Sequence, residues 1–355
     1  MTDCRTLFIG SMPAAGVEEA MRMMLDGAGD HIYCLPDGEP PPRHNWIINI
    51  LDALGDHPDL EVRKPGDNSD YDTMRTMKVR KGHTFTGGTV DLGYATTFKN
   101  VRPVFRKLCT EYDHLDLVQQ VGLASDFDLS AATFGQSLAA FKHRGAFTDA
   151  LVREIRKIHT STVDPIGRAD VLFQIEMPFE IILLNTLPQP LRALAADHLG
   201  RGIANLARRS PFGALFGLHF CLGDYHHNAA TRLENMNPVV LLSNAIVQHW
   251  PVGRRLMYLH LPMAHGGEPA RPDIGGFYAP LRRLRVPEGA HVVAGFLHEH
   301  SSMNELRWIH NEVARMLGRP FDVAASCGLG RRSVEDAALV MDQAARLCAE
   351  QDLWP

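Results

Sequence analysis

The 355-residue sequence predicts an α/β protein, a (β/α)8 TIM barrel in a single domain spanning residues 1–355. Three observations predict it. Short apolar runs alternate with helical patterns along the whole chain. Several of these runs are apolar at nearly every position, as parallel strands covered on both faces require. The strand–helix unit recurs eight or nine times, which favours a closed sheet over an open one.

In chain order, strands are expected at residues 6–10, 31–35, 90–94, 116–122, 170–176, 216–222, 256–263, 291–298 and 321–327. Helices are expected between them at 17–26, 45–54, 101–112, 147–159, 189–208, 303–317 and 333–350. The last is opened by Ser333 as N-cap, with Glu335 and Asp336 in its first turn where the helix dipole favours acid. Two stretches break the rhythm, the charged and Gly-rich 64–88 and the Gly/Pro-rich 265–280. Both read as long loops, and in a barrel the loops that follow strands build the active site.

Composition narrows the function. Hydrophobic residues make up 45% and charged residues 22%, a soluble globular balance. The net charge of −5 gives no electrostatic case for nucleic acid or an anionic membrane. Arg208-Arg209, Arg254-Arg255 and Arg282-Arg283 read as solvated faces. No apolar stretch approaches the roughly 18 residues of a membrane span, and no signal segment precedes the first strand. Six cysteines, at 4, 34, 109, 221, 327 and 348, show no disulfide framework. A reduced, cytoplasmic protein is expected, and a homodimer is compatible with the sequence.

Candidate chemistry gathers at predicted strand ends. His219-Phe220-Cys221 and Cys327-Gly328-Leu329-Gly330-Arg331 each follow an apolar run. Two residues apart on a strand, His219 and Cys221 face the same side, and imidazole with sulfur is a zinc-type donor set. The plainer alternative is that both are core residues, since free Cys is often buried. In Leu35-Pro36-Asp37-Gly38-Glu39-Pro40-Pro41-Pro42-Arg43, two carboxylates flank a Gly on a proline-stiffened turn. They could hold a cationic group such as an amine, or simply make a surface turn. Glu176, ending the strand that contains Gln174, is costly to bury idly. It reads as a ligand contact or proton-transfer group, with a structural salt bridge as the alternative. His226, His227, His260, His265, His298 and His300 collect at the same rim, where one or two could reach a metal or move protons.

These segments resemble the catalytic barrel of cobalamin-independent methionine synthase, in the superfamily shared with uroporphyrinogen decarboxylase. Ile9-Gly10-Ser11-Met12-Pro13 is similar to that family's I-G-S-x-P, Asp37-Gly38-Glu39-Pro40 to its H-G-E-P/F turn, and Gln174-Ile175-Glu176-Met177-Pro178 to its Q-I-D-E-P. His219-Phe220-Cys221 resembles its H-M-C, and Cys327-Gly328-Leu329 its D-C-G-L, all in the family's order. The resemblance implies a zinc ion that activates a thiol for alkylation, with His219, Cys221 and Cys327 as ligands. It implies that Ser11 and Glu39 hold the amino-acid part of the thiol; Asp37, Arg43 and Gln174 are expected beside them as further substrate contacts. Glu176, or a rim histidine such as His298, would move protons. The departures are specific: the family's ligand Glu has no counterpart in 257–262, where His260 is the best substitute as fourth ligand, with His298 as another. Met177 and Ser326 stand where the family has Glu and Asp, and the family's amino-terminal barrel has no counterpart, so folate is not the expected donor.

The expectation is therefore a stand-alone zinc-dependent methyl or alkyl transferase whose partners are a small-molecule thiol and an alkyl donor. Two alternatives stay open. One is a decarboxylase or lyase on the same barrel, acting on a small anionic substrate held by Arg43, Arg331 or Arg332. The other is a non-catalytic barrel.

Overall fold

A computed structural model describes residues 4–28, 31–69, 73–163, 170–271 and 276–350. The expected loops 64–88 and 265–280 lie partly outside these residues. Seven parallel strands form one curled sheet: β1 (Cys34–Leu35), β4 (Val118–Ala124), β5 (Val171–Glu176), β6 (Leu215–His219), β9 (Arg255–Pro262), β10 (His291–Leu297) and β11 (Asp322–Ala325), neighbours in that order. Between the edge strands β1 and β11 runs the segment 5–7. Thr6 bridges in parallel to Ile32 on one side and Val323 on the other. Its N–H donates to His31 O at 2.8 Å, and Leu7 N–H donates to Val323 O at 3.1 Å.

Helices cover the outside of the sheet, and their starts are written in the sequence. Serines cap α4 (Asp126–Phe134), α5 (Leu138–Thr160), α9 (Met303–Leu317) and α10 (Val334–Ala349), with Ser125, Ser137, Ser302 and Ser333 accepting from backbone N–H groups of the first turn. Ser302 and Glu305 form a reciprocal capping box. The remaining helices are α1 (Val17–Ala28), α2 (Trp46–Gly55), α3 (Tyr94–Glu111), α6 (Pro178–Thr186), α7 (Gln189–Arg209) and α8 (Asn237–His249).

Inside the curl, large and absent side chains interleave. A Cβ on Gly217 would stand 2.2 Å from the Tyr258 ring, one on Gly295 2.6 Å from His260 Nε2, and one on Gly122 2.9 Å from Glu176 Oε1. Three glycines on central strands thus make room for three bulky inward residues. Tyr258 OH donates to Gln174 Oε1 at 2.7 Å, while Gln120 and Gln174 donate to Ile9 O at 2.8 and 2.6 Å. This buried polar belt ties the first segment to β4, β5 and β9.

The structure corrects several expectations. Residues 90–94 are not a strand: Gly93, at φ +72°, caps α3, which starts at Tyr94. The alternating Val90, Leu92 and Tyr94 are buried all the same. Stretch 64–88 is not all loop, because β2 (Leu60–Lys64) and β3 (Thr76–Val79) pair antiparallel. A small hairpin, β7 (Asp224–Tyr225) with β8 (Asn228–Ala229), follows Cys221. Cysteine pairing also departs from the all-reduced reading, since Cys4 and Cys348 form a disulfide with Cα atoms 4.9 Å apart. No helix among the described residues is long and apolar enough to cross a membrane.

Candidate functional site

The carboxyl ends of the strands converge on one buried donor set. β6 ends at His219, whose carbonyl accepts from Met177 N–H at 3.1 Å, and Phe220 N–H donates to His260 O at 3.2 Å. These backbone bonds aim His219 and Cys221 to one side, as the two-residue strand spacing requires. Cys327 arrives two residues beyond β11. Donor atoms of His219, Cys221 and Cys327 all lie within 4.8 Å of one another, and the two sulfurs are 3.9 Å apart. Two thiolates on one tetrahedral zinc at about 2.3 Å each stand about 3.8 Å apart.

Hydrogen bonding sets the tautomer of His219. His260 Nε2 lies 3.0 Å from the Ala325 carbonyl, which can only accept, so Nε2 carries the proton. His260 Nδ1 is then an acceptor, and His219 Nδ1, 2.8 Å away, must donate to it. That leaves His219 Nε2 as a bare lone pair, and this atom is buried with no hydrogen-bond partner. Burial holds both imidazoles neutral, His219 well below its usual range and His260 down to about 3. A neutral ring oriented from behind, with its outer nitrogen bare beside two sulfurs, is what a soft divalent metal needs. The residues fit zinc.

His260 is therefore not among the converging donors. Both its nitrogens are committed, and it stands behind His219 as its orienting partner. His298 is also displaced from its expected place: Nε2 meets Gly266 O at 2.9 Å, Nδ1 accepts from His300 N–H at 3.2 Å, and the ring does not line the cavity. It belongs to a second cluster with His227 and Glu299. There the Glu299 oxygens are engaged by His227 at 2.8 Å and Arg332 at 2.7 Å.

A cavity of about 130 Å³ opens over the donor set, lined by Ser11, Glu39, Trp46, Asp128, Glu176, Phe179, Cys221, Asp224, Tyr225, Cys327 and Arg331 among others. An outer vestibule of about 470 Å³ shares Ser11, Glu39, Tyr225 and Arg331 with it. Ser11 is held by Cys327's own loop, with Leu329 N–H donating to Ser11 O at 2.7 Å and Gly330 N–H to Ser11 Oγ at 3.3 Å. Glu39 sits at φ +48°, a left-handed conformation unusual for a carboxylate residue. Its backbone N–H donates to Asp37 Oδ1 at 3.1 Å, and Asp37 in turn pairs with Arg43.

Asp37 and Arg43 thus shape the turn and do not line the main cavity. Gln174 is fully buried below it, donating to Glu176 Oε1 at 3.0 Å. The oxygens Glu39 Oε1 and Glu176 Oε1 both come within 4 Å of where a Cβ on Gly122 would stand. Burial raises both acids, Glu39 further through the charges of Glu176 and Asp37, and Glu176 through Cys327. Solvent reaches either carboxylate only partly, and each is densely surrounded by protein. Asp128, raised by burial and by Glu180, is another acid on the wall. Sequence reading missed Asp128, Asp224 and the aromatic wall. The only available signal was an acid just after an apolar run, in Ala124-Ser125-Asp126-Phe127-Asp128 and in Cys221-Leu222-Gly223-Asp224.

No protein-family model matches the chain, and no curated protein sequence matches it. Solved structures do. A protein assigned as a vitamin-B12 independent methionine synthase, from Listeria monocytogenes, superposes with a TM-score of 0.59 at 12% identity, covering 96% of this chain and 86% of that one. A methyltransferase from Methanosarcina mazei gives 0.47 at 13% identity over 98% and 94%. A Bacteroidetes-affiliated GH5 cellulase gives 0.39 at 11% identity over 71% and 76%. At these identities the likeness is one of fold, an α/β chain with a curled parallel sheet.

Proposed function

We propose that the protein is a zinc-dependent transferase that moves a methyl or other alkyl group from a small donor to a small-molecule thiol. The observation that carries this reading is His219 Nε2, a buried lone pair without a partner beside two sulfurs at zinc-compatible spacing. The proposal takes the segment 5–7 as the eighth strand of a (β/α)8 barrel and the chain as one domain. It keeps a cytoplasmic location, against which the Cys4–Cys348 bond weighs.

His219, Cys221 and Cys327 would hold the ion, leaving room for a substrate sulfur. Zinc bound there would supply a thiol kept ionised at neutral pH. The chain's own groups do the rest. Ser11 and Glu39, at the junction of cavity and vestibule, grip the amino end of the acceptor. Gln174 fixes Glu176 Oε1, so that Oε2 is left to exchange a proton with the reacting groups. Holding acceptor and donor in one small chamber contributes through placement.

The lyase alternative has less support, because an anionic substrate needs free cations. Arg43 is committed to Asp37 and Arg332 to Glu299, leaving Arg331 as the single cation among the described lining residues.

Protein purified without chelator should contain about one zinc per chain, and Cys221→Ser or Cys327→Ser should lose most of it. In cobalt-substituted protein, adding the thiol acceptor should change the sulfur-to-metal absorption. A wild-type chain that stays metal-free after zinc supplementation would sink the proposal. Metal without any thiol response would favour the lyase.

A further inference from the structure

The chamber over the metal donors holds a buried carboxylate, Asp224, that the thiol acceptor does not use up. Its walls carry four acids, Glu39, Asp128, Glu176 and Asp224, and one guanidinium, Arg331, and burial favours the neutral form of the first three. An amino-acid-like acceptor brings one ammonium and one carboxylate, which engage Glu39 and Arg331 and leave Asp224 without a close cation. Asp224 is the sharpest case: its side chain is 6% exposed, and neither carboxylate oxygen has a hydrogen-bond partner. Its nearest cation, Arg331, is 3.8 Å away. A buried carboxylate with no hydrogen bond and its one cation at 3.8 Å gains from a second, closer positive charge. On the remaining wall stand Trp46, Phe179 and Tyr225, the side chains whose ring faces attract cations. The volume of about 130 Å³ is also telling, since a dry cavity of about 150 Å³ holds a molecule the size of benzene. A compact head group fits this inner space, with the rest of a donor reaching into the vestibule.

The geometry points to a small onium ion, a sulfonium or quaternary ammonium compound, as the alkyl donor. This rests on the alkyl-transfer reading above. In the reaction the acceptor's sulfur attacks a methyl carbon of the onium ion. A C–S bond forms as the C–S or C–N bond to the onium centre breaks. The electron pair of the broken bond departs with the leaving group, which becomes a neutral sulfide or tertiary amine, and the thiol proton passes to solvent by way of Glu176. The leaving group needs no proton. Loss of its charge also removes its attraction to Asp224 and the aromatic wall, so turnover itself favours release.

The test uses the full zinc-loaded chain and three probes: choline, trimethylsulfonium, and 3,3-dimethyl-1-butanol, the uncharged isostere of choline. Binding is read by calorimetry and by the fluorescence of Trp46. Both cations should bind at least tenfold more tightly than the isostere. Asp224→Asn and Trp46→Leu should each weaken cation binding at least tenfold, whereas Trp46→Phe, which keeps the ring, should stay within about threefold. Equal binding of choline and its isostere, or variants that bind cations like wild type, would overturn the inference. Zinc content and the thiol response of cobalt-substituted protein are measured on the same samples. Zinc and thiol response without cation preference overturns this inference alone. Cation preference in a chain that takes up no zinc upholds the cation chamber and removes the alkyl-transfer reading.

Discussion

Replacing His260 by leucine should weaken zinc binding by about 10- to 100-fold, although His260 does not reach the ion. Its two contacts, 2.8 Å to His219 Nδ1 and 3.0 Å to Ala325 O, force the tautomer that leaves His219 Nε2 bare. With leucine there, nothing opposes the tautomer protonated at Nε2, and the ligand lone pair turns away from the sulfurs. The expected loss corresponds to about 1.4–2.7 kcal/mol of metal affinity. Two buried polar groups also lose a partner, at about 1–3 kcal/mol each, so the metal-free protein should be less stable by about 2–6 kcal/mol. Competition against a chromophoric chelator at pH 7 measures the first effect, and urea unfolding with zinc removed measures the second. His260→Gln, whose amide can donate to Ala325 and accept from His219, should fall between wild type and leucine. His219→Ala should be worse than either. If the leucine variant binds zinc within twofold of wild type, the tautomer argument is wrong.

Three further outcomes follow from the same geometry. Below pH 6.5 the unfolded chain takes up protons that buried His219 and His260 refuse, so metal-free stability should fall on acidification below pH 6.5, for His260 down to about pH 3, by up to about 1.4 kcal/mol per pH unit for each ring, read by urea titration across pH. Glu39 has the opposite sign. Its raised carboxyl favours folding below its unfolded value of 4.5, and that contribution is lost as pH rises to about 8, so Glu39→Gln should flatten the profile and be about 1–3 kcal/mol more stable than wild type at pH 8 while weakening acceptor binding. Gly217→Ala, whose methyl meets the Tyr258 ring at 2.2 Å, should destabilise by about 1–3 kcal/mol in denaturant unfolding without changing the metal-to-protein ratio.

What could be read in advance followed local rules. Apolar runs gave β5, β6, β9, β10 and β11 within a few residues, because a strand covered on both faces leaves a continuous signature. His219 and Cys221 were visible as a strand-end pair for the same reason. What could not be read in advance lies where the deciding partner is distant in sequence. His260 looked like a ligand because nothing near it reveals that the Ala325 carbonyl, 65 residues away, already holds its Nε2. Gln174 looked like a substrate contact, yet its amide is committed to Ile9 O, 165 residues away. Asp224 and Asp128 look like ordinary turn and helix-start acids until the fold turns them toward one chamber. At 90–94 the local signal itself misled, since alternation of Val90, Leu92 and Tyr94 fits both a strand and a buried approach to a glycine-capped helix.

The bond between Cys4 and Cys348 has a topological meaning. It spans 344 positions, so the backbone between them is a covalent loop. One cut in a surface connection opens that loop but does not divide it. A molecule clipped once near residue 271 would migrate as one piece until a reductant parts it into two fragments. The shape of the metal-bearing chamber would then depend on noncovalent cohesion across the cut, not on continuity of the peptide chain there.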